Sequence, residues 1–215
     1  MKIVGVIPIK LNNKRLPGKN TNLLGDAPLI RYILQSLEVI QEIDNIYLYC
    51  SEDKIINYFN DMRTKFLKRP EELDSDNTNF TQIFESFVSE IDADIYIYAH
   101  ATAPFIKQET ITECVDKVVS GAYDSAFTAV KIQDFLWQDN NPLNFDSTNI
   151  PRSQDLAPVY RETSGIYVFK KEVFTKYRRR IGIHPYIKEV GYKESIDINY
   201  PEDMVLAEAM LRVEL

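Results

Sequence analysis

The sequence predicts a three-layer α/β protein, with a Rossmann-like, mainly parallel mixed sheet covered by helices on both faces. Two observations carry this. Short apolar runs alternate with segments of helical periodicity along most of the 215 residues, with short connections between them. A basic, turn-rich stretch, Ile7-Pro8-Ile9-Lys10-Leu11-Asn12-Asn13-Lys14-Arg15-Leu16-Pro17-Gly18-Lys19-Asn20, follows the first apolar run. The carboxyl end of a first strand is where open α/β proteins hold phosphates.

Taken in order, residues 3–7 predict a buried first strand and residues 29–40 an amphipathic helix. Residues 46–50 read as a second strand, 54–62 as helical, and Phe66-Leu67 as a minor strand before Arg69-Pro70. Within 79–91 the apolar residues Ile83, Phe84, Phe87, Val88 and Ile91 mark one helical face. Residues 94–99 predict a third core strand, 110–119 a helix and 125–130 a fourth strand. Residues 133–158 lose periodicity and collect Asn, Asp and Pro; such a stretch inside a compact domain is commonly a lid or an interface arm. Regular structure resumes at 165–169, followed by a short helix from Lys171 whose Arg178-Arg179-Arg180 run reads as a solvated end. Residues 195–198 predict a last short strand. Tyr200-Pro201-Glu202-Asp203 opens a final helix to about Leu211, with proline and acids in its first turn. One domain over residues 1–215, with an insert at about 133–160, is the expectation.

A hydrophobic share of 45% and a charged share of 27% are those of a soluble globular protein. The net charge of −7 argues against non-specific nucleic-acid binding, so positive charge matters where it clusters, in the opening loop. Cys50 and Cys114 fall in apolar runs without metal-ligand spacing and are expected to be buried free thiols. No apolar segment approaches membrane-spanning length and no signal peptide is evident, so a cytoplasmic location and no membrane partner are expected.

In the loop, Lys10, Lys14 and Lys19 supply point charges, while Gly18 and the asparagines permit close backbone approach: the logic of a phosphate grip. The glycine spacing fits neither a P-loop nor a dinucleotide fingerprint. The bland alternative is a solvated basic loop.

Pro8-x-Lys10-x-x-Asn13-Lys14-Arg15-Leu16-Pro17-Gly18-Lys19-Asn20 resembles the signature of the CMP-sugar-acid synthetases, the acylneuraminate cytidylyltransferases with their pseudaminate and legionaminate relatives. That pattern reads Pro-Ala-Arg-x-x-Ser-Lys-(Gly/Arg)-x-Pro-x-Lys-Asn. Six further segments match in order: Ser51-Glu52, Arg69-Pro70-Glu71-Glu72-Leu73 with Ser75-Asp76, His100 through Phe105, the insert residues Gln133 through Trp137 and Pro142-Leu143-Asn144 with Pro151-Arg152-Ser153-Gln154-Asp155, Tyr160 through Tyr167, and Ser195 through Asp203.

The resemblance implies a three-layer nucleotidyltransferase that joins CTP to the anomeric hydroxyl of a nine-carbon 2-keto sugar acid, releasing pyrophosphate. It implies Lys14, Lys19 and Asp197 as catalytic residues, and Lys10, Asn13, Lys14, Lys19, Asn20 and Arg69 as nucleotide ligands. His100, Arg152, Gln154, Arg161 and Thr163 would contact the sugar acid, whose carboxylate suits a guanidinium fork. Asp197 and Asn199 would hold Mg²⁺, and the insert would reach across a homodimer. Each residue also has a plainer reading. Asp197 would cap the last helix, Arg69 would lie on the surface, His100 would be structural, and Arg152 and Arg161 would serve a subunit interface. Tyr47, Tyr49, Tyr96 and Tyr98 read as packing residues.

The chain departs from the family pattern at four places. Lys10 stands for Arg, Asn199 for the second Asp of an Asp-x-Asp pair, His100 for Gln, and Thr163 for Asn. Two alternatives stay open: the related Kdo cytidylyltransferase and, given Asn199 and Thr163, a non-catalytic nucleotide- or sugar-binding member of the family. Pro17-Gly18-Lys19-Asn20 and Lys14 favour the neuraminate branch over the Kdo branch, which has Pro-Gly-Lys-Pro-Leu.

Overall fold

A computed structural model of the chain describes residues 1–213. At its centre is a seven-stranded sheet. Its strands are β1 (Ile3–Pro8), β2 (Asn45–Cys50), β3 (Lys65–Lys68), β4 (Ile95–Ala99), β5 (Ser125–Ile132), β6 (Val159–Lys170) and β7 (Pro185–Glu189). They lie in the order β7-β5-β6-β4-β1-β2-β3. Every pairing is parallel except those of β6, which runs antiparallel to β4 and β5.

The two-residue alternation of the strands builds two different cores. On one face Ile95, Ile97 and Ala99 of β4 pack with Ile3 and Ile7 of β1 under α1 (Leu29–Glu38) and α3 (Gln108–Val119). The apolar stripe of α1 is Leu29, Ile30, Ile33, Leu34 and Leu37, the spacing of one helical face. On the other face Tyr96 and Tyr98 join Phe84 and Phe87 of α2 (Phe80–Glu90) and Phe174 of α4 (Lys171–Tyr177). Phe84 is the hub, edge-on to Tyr96 at 5.0 Å and to Phe174 at 4.7 Å. Helices on both faces give the expected three layers. A smaller cluster, Leu24, Leu29, Ile196, Ile198 and Ala207, seats α5 (Pro201–Leu211) against the opening of α1.

Several expectations change. Residues 195–198 form no strand: a 3₁₀ turn, Lys193–Ser195, leads into an extended segment whose Ile198 N–H donates to the Thr102 carbonyl at 2.9 Å. Burial of Ile196 and Ile198 in the third cluster, not ladder pairing, holds it there. The helical reading of 54–62 shortens to a 3₁₀ stretch, Asp53–Tyr58. Asn57 and Asn60 are poor helix formers, and only Ile55 and Phe59 are buried. β7 was not anticipated; it is an edge strand of half-exposed residues, without a clear apolar face. The insert contains a small hairpin, Trp137–Gln138 with Asn141–Pro142, turned by Asp139 and Asn140 at φ of 49° and 64°. It ends where β6 begins, at Val159. Cys50 and Cys114 are buried free thiols, as expected.

Candidate active site

The parallel strands deliver their first loop residues to one edge of the sheet. Ile9 and Lys10 follow β1, Ser51 follows β2, Arg69 follows β3 and His100 follows β4. Between them lies a cleft of about 600 Å³ lined by Lys10, Asn13, Lys14, Arg15, Lys19, Arg69, Asp76, Tyr98, His100 and Asn199, among others. This is the ligand position of an open α/β sheet.

The opening loop owes its shape to Gly18, whose φ of 67° is the left-handed conformation. Its carbonyl accepts from the N–H groups of Thr21 and Asn22 at 2.8 and 2.9 Å. The resulting 3₁₀ turn, Lys19–Thr21, buries Lys19 and Asn20. The Lys19 ammonium donates to the Ile198 carbonyl at 2.9 Å. Burial lowers its pKa, and the neighbouring Asp197 partly offsets this. Asn20 Nδ2 donates to the Lys10 carbonyl at 3.1 Å, which ties the two ends of the loop together.

Lys10 and Lys14 are held by one acid. Their ammonium groups lie 2.6 Å from Oδ1 and Oδ2 of Asp76, respectively. Their hydrogen bonds hold the Asp76 carboxyl down to about 2, and the same contact raises the Lys14 pKa. Two residues earlier Asp74 binds the buried Arg69 guanidinium and accepts from Ser51 Oγ at 2.5 Å. The surface reading of Arg69 therefore gives way: burial on the cleft wall is where the structure puts it.

On the opposite side Asp197 Oδ2 accepts from Asn199 Nδ2 at 2.6 Å, and Asn199 Oδ1 accepts from Arg15 at 3.0 Å. Asp203, not Asp197, reaches back to cap α5, accepting from the N–H groups of Asn199 and Tyr200 at 2.7 and 2.8 Å. The Asp197 Oδ1 atom is buried without a partner. Among the described residues there is no cluster of three His, Cys, Asp or Glu that would make a closed metal cage. The enclosed, unpaired Asp197 oxygen fits a Mg²⁺ ion, which takes few protein ligands and shares the rest with phosphates and water; the Asn199 amide turns its nitrogen to Asp197 and its oxygen to Arg15, so it adds a ligand only on leaving Arg15.

His100 lines the cleft with Nε2 enclosed and unpaired. Burial, reinforced by Arg180, pushes its pKa down to about 4, so the ring is neutral at ordinary pH. Tyr98, read as a packing residue, also faces the cleft, and burial moves its hydroxyl up to about 12. The solvated reading of the arginine run fails for Arg180. Its guanidinium lies 3.6 Å over the Tyr167 ring and donates to the Tyr167 hydroxyl at 2.9 Å. The Tyr98 and Tyr167 rings in turn flank His100 at 5.3 and 6.0 Å. The sequence gives no local signal for Arg180, which is brought there by a left-handed residue, Arg178, at the end of α4. Asp74 was likewise missed; an acid just after Arg69-Pro70 was the available clue.

The remaining sugar-acid candidates do not line the cleft of this single chain. Thr163 is buried, with its hydroxyl 2.6 Å from that of Thr128. Arg152 is exposed and pairs with Asp155 at 2.7 Å, and Gln154 and Arg161 are also exposed.

An open three-layer sheet with a cationic cleft at the carboxyl ends of its strands defines a nucleotide-handling α/β protein. Comparison with known proteins makes this specific. The chain belongs to the cytidylyltransferase family, whose model matches residues 4–210. It is 24% identical over 215 residues to N-acylneuraminate cytidylyltransferase A of Danio rerio, covering 96% of this chain and 50% of that protein. It is 22% identical over 247 residues to 3-deoxy-manno-octulosonate cytidylyltransferase of Acaryochloris marina, covering 99% and 98%. The chain thus spans about half the length of the acylneuraminate relatives it matches. Its fold superposes on a CMP:2-keto-3-deoxy-manno-octonic acid synthetase complexed with CTP, with a TM-score of 0.76, 18% identity and full coverage of both chains.

Proposed function

We propose that this protein transfers a cytidylyl group from CTP to a hydroxyl of a sugar acid and releases pyrophosphate, with a nine-carbon 2-keto acid as acceptor. One observation carries the reading. Among the described residues, the five buried side-chain polar atoms without a protein partner are Asn13 Oδ1, Asn20 Oδ1, Arg69 Nε, His100 Nε2 and Asp197 Oδ1. Four of these residues line the cleft and its inner recess, and Asp197 is bonded to Asn199 at its rim. Buried polar groups are normally paired, and those left open at one place mark a site built for a polar ligand.

The chemistry follows from the charge that develops. When a hydroxyl oxygen bonds to the α-phosphorus, gives its proton to water and the bond to the β-phosphate bridging oxygen breaks, negative charge moves onto the phosphoryl and pyrophosphate oxygens. Lys10 and Lys14, on the open side of the cleft, receive the triphosphate. Lys19, fixed by the Ile198 carbonyl and screened from water, stabilises charge near the reacting phosphate. Arg69 and the two asparagines hold the nucleotide. His100, neutral with an open Nε2, orients an acceptor hydroxyl and is too weak a base to ionise it. Asp197, joined by the amide oxygen of Asn199 once it is released from Arg15, would hold Mg²⁺, which when bound polarises the phosphate. Arg152, Gln154 and Arg161 act, on this reading, on the cleft of a second copy, carried there by the insert.

A second reading, 3-deoxy-manno-octulosonate as acceptor, is favoured by the full-length match to the Acaryochloris marina protein. The test is pyrophosphate release from CTP and Mg²⁺ with neuraminic, pseudaminic, legionaminic and 3-deoxy-manno-octulosonic acids. Release with a nine-carbon acid is expected. Release with the eight-carbon acid alone moves the acceptor to the second reading. No release with any acid, alongside measurable CTP binding, leaves a nucleotide-binding protein without this activity.

A further inference from the structure

We infer that Asp76 is an internal stand-in for substrate phosphate: it neutralises Lys10 and Lys14 in the free protein and must leave them before a triphosphate binds. The inference rests on the nucleotide reading of the cleft.

The geometry is that of a bound anion. One carboxylate spends one oxygen on each of two loop lysines, both at 2.6 Å, across 66 residues of sequence in the case of Lys10. Those two cations are the ones the triphosphate requires, so acid and ligand compete for the same ammonium groups. Asp74 and Asp76 sit on one strap but differ in kind. Asp74 is mostly buried, holds Ser51 and Arg69, and cannot leave without stranding the buried guanidinium. Asp76 is half exposed, and among the described residues its side chain has no polar partner besides the two lysines. It can turn into water with nothing buried left unpaired.

The strap is anchored at both ends, so the side chain can move without the segment unfolding. At one end the Arg69 N–H donates to the Cys50 carbonyl at 2.9 Å, and at the other Asn79 and Gln82 form a reciprocal cap on α2. Because the lysines hold the Asp76 carboxyl near 2, the acid stays ionised at any ordinary pH and the competition is not pH-gated.

The experiment measures the affinity of Asp76→Asn for inorganic tripolyphosphate and for CTP by calorimetry, against wild type and Glu71→Gln. Glu71 is a nearby acid without contact to the loop lysines, so it controls for net charge. Two exposed ion pairs released together correspond to about a fivefold to tenfold gain in affinity. That gain is expected for both ligands in Asp76→Asn, and less than about twofold in Glu71→Gln. Asp76→Ala repeats the measurement without an amide oxygen to hold the lysines, and thermal melts verify folding. If wild type binds CTP and Asp76→Asn binds no tighter, or weaker, the inference is overturned and the nucleotide site stands. If Asp76→Asn gains tripolyphosphate affinity while CTP binds to neither, the inference holds and the cytidylyl reading falls. Binding of neither ligand to any variant overturns both.

Discussion

His100 carries the pH behaviour of the cleft. It is faced by Arg180 and Lys19, which disfavour its protonation, and by Asp197, which favours it, while burial dominates. Its folded pKa of about 4 lies below the ordinary 6.5, so between those values the unfolded chain binds the proton and the native ring does not. The contribution to stability is therefore intact above about pH 6.5 and lost as pH falls through about 4. Urea midpoints of wild type should decline across that window more steeply than those of His100→Gln; parallel curves would remove His100 as the cause. Asn199 gives a second single-residue prediction. In Asn199→Asp the Asp197 carboxylate loses its 2.6 Å amide donor and gains a like charge. The melting temperature in EDTA should fall by several degrees and recover on Mg²⁺ titration, whereas wild type should respond little; a variant indifferent to Mg²⁺ would remove this pair from the metal site. At Lys14, replacement by Ala should lower turnover far more than Arg179→Ala, because the Arg179 side chain, which donates to the Gly182 carbonyl and lies over the Tyr177 ring, does not line the cleft. Equal losses would remove the loop from the mechanism.

Among the elements, the opening loop and the strap before α2 decide the site. Gly18→Ala places a side chain at φ 67°, with its Cβ 3.0 Å from Asn22 Oδ1. The left-handed strain is about 1 kcal/mol, and nucleotide affinity should fall because the turn that buries Lys19 is disturbed. Unchanged CTP affinity would mean that the turn adapts. This loop was legible in advance: its cations, its Gly18 and its place after an apolar run are all local signals, and Lys10, Asn13, Lys14, Lys19 and Asn20 do line the cleft or its recess. The strands with strict alternation, such as β4, were equally clear. What was not legible depends on contacts between distant segments. Asp76 meets Lys10 across 66 residues, and Arg180 meets Tyr167 only after α4 ends in a left-handed turn. Residues 195–198 look like a strand because Ile196 and Ile198 alternate with polar residues. Whether such a segment pairs or packs is decided by its neighbours, and here Thr102 offers one carbonyl instead of a ladder.

The whole molecule poses the question of the insert. Around its hairpin Phe145 packs edge-on to Phe135 and to Trp137, at 4.9 and 5.4 Å, while Phe135 and Trp137 stay exposed. Leu143 and Ile150 are exposed beside them, and Arg152 and Arg161 lie outside the cleft of their own chain. On the proposed function these arginines complete the cleft of a second copy, and a two-fold dimer then has two composite sites. That arrangement makes a prediction that a monomeric enzyme cannot meet. Lys14→Ala damages the cleft side of a site and Arg152→Ala the arm side, so each variant alone should be nearly inactive. In a heterodimer of the two, one site collects both defects and the other collects none. Random exchange of equal amounts makes half the dimers mixed, with one of their two sites intact, so activity should return to about a quarter of wild type. Sedimentation should give a dimer for each variant, and Trp137→Asp should shift it toward monomer. If mixing restores nothing while the proteins sediment as exchanging dimers, both residues act within one chain, and the arm must close on its own cleft.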